Sequence, residues 1–149
     1  MTIALLVLAA AVVMMGLERW FPAYALPHSR GWWLRATLLN GGQALSVWAL
    51  GRSLDPWLLT HAWRIDAGPV AGAVLGYVVL TFVYYFWHRA RHEVPVLWRL
   101  FHQMHHSVTR LEVISSFYKH PLEVVANGAL SGVIVYLLCG LSPEAAAGA

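Results

Sequence analysis

Gly68-Pro-Val-Ala-Gly-Ala-Val-Leu-Gly-Tyr-Val-Val-Leu-Thr-Phe-Val-Tyr-Tyr-Phe-Trp87 runs for twenty residues without a charge and meets, with no spacer, His88-Arg-Ala-Arg-His92. A bilayer core needs about 20 residues of helix, so this stretch reads as a transmembrane helix whose last turns leave the lipid carrying two imidazoles. Ten residues later comes His102-Gln-Met-His105-His106, and then Lys119-His120-Pro121. Dense histidine at the end of an apolar helix predicts a transition-metal site at a membrane surface.

Composition supports a membrane protein. The 149 residues are 59% hydrophobic and 11% charged, with eight Trp and a mean hydropathy of +0.59. A soluble domain carries about 25% charged residues. The net charge of +3 is small, and the basic residues flank apolar runs, which reads as membrane-facing and not as a nucleic-acid patch. A single cysteine, Cys139, excludes an intrachain disulfide framework and a Cys-based zinc ribbon, and its apolar setting predicts a buried small hydrophobe.

Working outward, an all-α integral membrane bundle of about four spans is expected, as one membrane domain over residues 1–149. The spans are Thr2–Leu17, about Ala36–Leu50, Gly68–Trp87 and about Val124–Leu141. The first lacks a preceding basic residue, and Glu18-Arg19-Trp20-Phe21-Pro22 stands where a signal-peptidase site would be, so it reads as a retained helix. The second is short and polar, with Asn40 and Gln43. Gly72-x-x-x-Gly76 and Gly128-x-x-x-Gly132 are either close-packing faces or ordinary glycine tolerance. With the N-terminus outside, eight of the ten basic residues are cytoplasmic, and the histidine clusters with them. Pro95 should end the third helix, and a surface helix should run from about Val96 to Ser107 with Leu97, Trp98, Leu100, Phe101 and Met104 as its apolar face.

Spacing converts the histidines into faces. Residues i, i+3 and i+4 share one side of a helix. His88 and His92 therefore project together, as do His102, His105 and His106, and two facing helices can bring five imidazoles into one space. His28 and His61 are isolated and read as solvated loop residues. A zincin would need Glu after the first histidine; here it is Arg89, so hydrolytic zinc is unsupported. A bis-histidine haem needs only one imidazole from each of two helices. A non-haem iron centre accounts for the clusters better.

Three blocks then carry a resemblance: Tyr84-Tyr85-Phe86-Trp87-His88-Arg89-x-x-His92, Leu97-Trp98-x-x-Phe101-His102-x-x-His105-His106-Ser107, and Ser115-Ser116-x3-Lys119-His120-Pro121-Leu122-Glu123. Together they resemble the fatty acid hydroxylase/sterol desaturase superfamily, with the motif region at about 75–149. The resemblance implies a membrane-bound diiron oxygenase that hydroxylates or desaturates a fatty acyl chain, sterol or related lipid. It implies O₂, an external donor (a reductase, cytochrome or ferredoxin) and two Fe ions. By the same resemblance His88, His92, His102, His105 and His106 are iron ligands. His120 is a weaker carry-over: a ligand, a group behind one, or a helix-start residue. Glu93, Glu112 and Glu123 are candidates to orient the histidines. Tyr84, Tyr85, Phe86 and Trp87 are candidates to line a lateral substrate channel, or an interface belt.

The sequence departs from the family pattern at Thr81, where some relatives carry an acid, and at Lys119, where arginine is common. It also has no histidine after His120, whereas the family carries a further H-x-x-H-H box beyond the fourth span. Ser142-Pro143-Glu144-Ala145 is a strong helix start. With so few residues after it, a continuing natural polypeptide is expected, and the chain reads as a fragment of the full enzyme. The alternatives are a short protein completing its site with a partner chain, and a non-catalytic membrane metal-binding module.

Overall fold

A computed structural model describes residues 2–149, with side chains from residue 5 onward. Every regular element among the described residues is helical. Helix α1 spans Thr2–Trp20, α2 Trp32–His61 and α3 Gly68–Glu93. Helix α4 covers residues 95–106, and its middle, Trp98–His102, is a π-helical turn. A 3₁₀ segment at Val113–Phe117 leads to α5, Pro121–Leu138, whose last turns are also π-helical, and to the short α6, Pro143–Ala146.

The ends follow from local chemistry. Pro69 sits in the first turn of α3, and Pro95 and Pro121 open α4 and α5, positions where a missing N–H costs nothing. Val94, in extended conformation, is the only residue between α3 and α4, because the residue before a proline is driven out of the helical region. Ser142 caps α6, its Oγ accepting from the Ala145 amide at 3.3 Å, as its sequence predicts.

Two of these helices, Gly68–Glu93 and Pro121–Leu138, are long and apolar enough to cross a bilayer. The sequence-derived boundaries shift in instructive ways. Helix α2 is far longer than the expected Ala36–Leu50, continuing through Arg52, Asp55 and Pro56. Packing explains it: α2 lies along α5, with Leu50 over Gly128 and the fully buried Leu58 over Gly132. Its extension also moves His61 out of the expected loop and onto the helix end, where its Nδ1 lies 2.8 Å from the Trp57 carbonyl. Helix α5 ends earlier than expected, because Gly140 takes φ +60 and turns the chain. A side chain there would meet the Trp63 carbonyl at 2.8 Å.

Both glycine pairs are packing faces. Gly128 and Gly132 receive α2, while Gly72 and Gly76 receive Ala145, Leu141 and Ala149. The buried core, Leu58, Ile134, Val135, Tyr136, Cys139, Leu141 and Ala145, lies where α2, α5 and α6 meet. Cys139 is buried there, as its apolar setting predicts. Helix α1 is tied to the rest through polar groups at its end. Arg19 donates to Glu112 at 2.6 Å, and the Glu18 carboxylate accepts from the Val113 amide at 3.1 Å.

Candidate metal centre

Four histidines converge. On α3, His88 and His92 are one turn apart and their Nε2 atoms lie 3.1 Å from each other. On α4, His102 and His106 repeat the arrangement at 3.0 Å. His102 Nε2 closes the set, 3.2 Å from His92 Nε2. The coordinating nitrogens of all four fall within 4.8 Å of one another. A transition metal holds imidazole nitrogen at about 2.0–2.1 Å, so neighbouring ligands of one ion stand roughly 3 Å apart. The donor set fits one such ion.

The π turn is the local device behind this. The Gln103 amide reaches back to the Trp98 carbonyl, widening the helix by one residue just before His102. Trp98, at the start of that turn, lies beside both histidine pairs, its ring 5.5 Å from His92 and 5.3 Å from His106. His102 is the deepest of the four, with 1% of its surface exposed.

Behind His102 stands a buried carboxylate. Glu123, at the first turn of α5, is fully buried, and its Oε1 lies 3.3 Å from His102 Nδ1. The same oxygen accepts from the buried Arg91 guanidinium. Glu123 Oε2 has no partner among the described residues. A carboxylate accepting from Nδ1–H fixes the tautomer and aims Nε2 at the cluster. Burial, followed by the charge of Arg91, pushes the His102 pKa down to about 3, so the ring stays neutral and able to ligate. Burial lowers His106 as well, with His92 adding to it.

The remaining candidates fall elsewhere. His105 stands outside the cluster of four and lines a polar cavity of about 480 Å³ with His106, Glu18, Glu112 and Ser115, and its Nδ1 is buried without a partner among the described residues. Burial, then Lys119, holds its pKa down. His120 caps α5, its Nδ1 accepting from the Leu122 amide at 3.2 Å. Glu93 pairs on the surface with Arg89 at 2.6 Å and bonds to no histidine among the described residues. Glu112 is buried between Arg19 and Arg110, a structural clamp on the loop before the 3₁₀ segment. Tyr84 donates to the Asn127 carbonyl at 2.7 Å, and Trp87 to Asn127 Oδ1 at 2.8 Å. Tyr85 and Phe86 are exposed, edge to face with each other. Sequence reasoning missed Arg91, which looked like one basic residue among five. Its i+3 position after His88, facing α5, is the signal that marks it.

Tyr84 also opens onto a largely apolar cavity of about 870 Å³ between α2 and α5, lined by Val47, Trp48, Val124 and Gly128. Its inner wall, Tyr84 and Asn127, is one helical turn from His88 on α3 and from Glu123 on α5.

Residues 73–148 match the family described as Fatty acid hydroxylase. The chain is similar to the ornithine lipid hydroxylase OlsE of Rhizobium tropici, 37% identical over 68% of this chain and 34% of that protein. It is similar to the sphingolipid C4-hydroxylase sur2 of Schizosaccharomyces pombe, 34% identical over 42% of this chain and 21% of that one. It also resembles the very-long-chain aldehyde decarbonylase GL1-9 of rice (Oryza sativa subsp. japonica), 35% identical over 40% of this chain and 23% of that protein. The chain therefore spans about a third or less of the length of these relatives. No solved structure matches it.

Proposed function

This chain belongs to the fatty acid hydroxylase family, and on that premise we propose that it is a membrane-bound lipid oxygenase whose centre is built on His88, His92, His102 and His106. One observation carries the reading: four imidazole nitrogens within 4.8 Å of one another, the most buried histidine backed by a buried carboxylate and arginine. Iron bound there would supply the activation of O₂, with two electrons from an external reductase, cytochrome or ferredoxin, that an unactivated lipid C–H bond requires.

The protein's own part is positional. Glu123 holds Nδ1–H of His102, so that Nε2 presents a lone pair. The Arg91 guanidinium donates to the same carboxylate and holds it in place in a buried site. Trp98 packs beside the rings of His92 and His106 and restricts how they turn. The substrate enters sideways from the bilayer, along the cavity between α2 and α5, with Tyr84 and Trp87 on its inner side. The bundle has four spans, α1, α2, α3 and α5, with α4 at the cytoplasmic surface. His105 and His120, though outside the cluster of four, remain the candidates for holding a second iron.

The purified chain, loaded with ferrous iron and given O₂, a reductant and a lipid extract, should yield lipid products heavier by one oxygen atom. The product should vanish in His92→Ala. Absence of iron binding, or product formation that survives that substitution, would refute the assignment. The closure of one four-imidazole site favours a second reading, a membrane module that binds one transition metal without oxidising lipid. Tight one-to-one metal binding with no oxidised lipid, with donors of each class supplied, would select it.

A further inference from the structure

Helix α2 carries one acid through the bundle, Asp55, about 9 Å before the helix ends at His61. Its carboxylate faces α5. Oδ1 stands 3.6 Å from where a Cβ on Gly132 would be, and Oδ2 3.4 Å from where one on Gly51 would be. Both glycines, with Asp55 itself, line a cavity of about 500 Å³ bordered by Pro143 and Ala146 of α6. Tyr136, one turn beyond Gly132 on the same face of α5, lines it too and is only 9% exposed. Asp55 joins no salt bridge among the described residues. Neither its carboxylate nor the Tyr136 hydroxyl finds a hydrogen-bond partner among them, yet neither group is sealed, so each keeps accessible surface. The other walls are largely apolar, and no basic side chain among the described residues lines the cavity. An ionisable group inside a membrane bundle is costly without a partner, so the missing positive charge points to a ligand. Val47, Gly128 and Ser131 also line the larger cavity that reaches Tyr84, so the two spaces meet.

We propose that the cavity at Asp55 and Tyr136 recognises a lipid bearing a primary ammonium group. Such a group has three N–H donors. Two meet the Asp55 oxygens and the third meets Tyr136 Oη, while the tail runs past Gly128 and Ser131 into the larger cavity. Tyr84, at the inner wall of that cavity, is one turn from His88, so the carbons far from the nitrogen pass nearest the metal centre. This deepens the lipid reading above and rests on it for the claim that the occupant is the substrate.

The test measures binding to the full chain, free of metal, in phosphatidylcholine nanodiscs, with binding to empty nanodiscs subtracted. The probes are radiolabelled hexadecylamine (charge and donors), hexadecyltrimethylammonium (charge without a donor) and hexadecanol (a donor without charge). Hexadecylamine should bind saturably and about tenfold tighter than either of the others, the order set by a charge-assisted hydrogen bond in an apolar site. Asp55→Asn keeps the side-chain shape and should weaken the amine about tenfold while leaving hexadecanol unchanged. Tyr136→Phe should weaken the amine about threefold. Equal binding of hexadecylamine and hexadecyltrimethylammonium to the unaltered protein, or amine binding untouched by Asp55→Asn, would overturn the proposal and leave a cavity filled by bulk lipid. The probe series is read on the unaltered protein, so it decides the matter even where a variant misfolds. Selective amine binding by a protein that oxidises no lipid when loaded with iron supports the site and counts against the oxygenase reading alone.

Discussion

Replacing Glu123 by Gln keeps the side-chain volume and removes one charge. Glu123 is fully buried and Arg91 only 3% exposed, so the guanidinium loses the one carboxylate it pairs with among the described residues, in a place water cannot reach. Breaking a buried pair in this way costs about 3–5 kcal/mol. A second effect is separate: the Nδ1–H of His102 now meets a neutral acceptor, and such losses behind a ligand weaken metal affinity about 10–100-fold. Unfolding in mixed micelles, followed by Trp fluorescence, reads the first effect, and Co²⁺ titration reads the second. Adding Arg91→Met should recover most of the stability, because no charge is then left buried, while the metal affinity stays low. Glu112→Gln is the control. Glu112 is equally enclosed by Arg19 and Arg110 but bonds to none of the four clustered histidines among the described residues, so Glu112→Gln should destabilise and leave metal affinity near the original. If Glu123→Gln unfolds like the unaltered protein, or if the double variant regains metal affinity, the buried pair does not do what the geometry implies.

Further outcomes follow from the same geometry. His106→Ala should lower Co²⁺ affinity at least tenfold and His105→Ala should leave the four-imidazole site nearly intact, as visible absorption spectra would show; equal losses would place His105 in that site. In metal-free protein the depressed pKa of His102 means that only the unfolded chain takes up its proton between about pH 6.5 and pH 3. Stability should therefore be fully present above that window and fall as pH drops through it, and His102→Asn should flatten the slope in pH-dependent unfolding. Gly140→Ala should destabilise by at least about 1 kcal/mol, since it forces a side chain into φ +60 and against the Trp63 carbonyl; an unchanged melting midpoint would refute that.

Much of the site was legible because helical spacing is rigid. His88/His92 and His102/His106 are both i, i+4 pairs, and Glu123 was already a candidate to orient a histidine. The choice between His105 and His106 was not legible: both are within one turn of His102, and only the neighbouring helix decides which turns inward. The π turn was hidden for a similar reason, since no residue in Trp98–His102 forbids a regular helix. Partnerships such as Arg19 with Glu112, 93 residues apart, depend on the fold as a whole. Helix α2 overran its expected end because Arg52 marked the edge of the apolar stretch, whereas packing against Gly128 and Gly132 rewarded continuation.

The single extended residue between α3 and α4, Val94, makes the centre a protractor. One ligand pair rides on each arm, so the distances among four nitrogens measure the angle at that joint. His106 lies about 18 Å along the second arm, and a tilt of ten degrees would carry it some 3 Å, far beyond the play of a metal–nitrogen bond. On the proposed placement, with α3 in the lipid and α4 resting on the surface through its exposed Val96 and Leu100, the bilayer would hold the angle. Thickness and headgroup packing would then set the spacing of the four nitrogens, and a detergent that lets the arms swing should weaken metal binding without a change of residue.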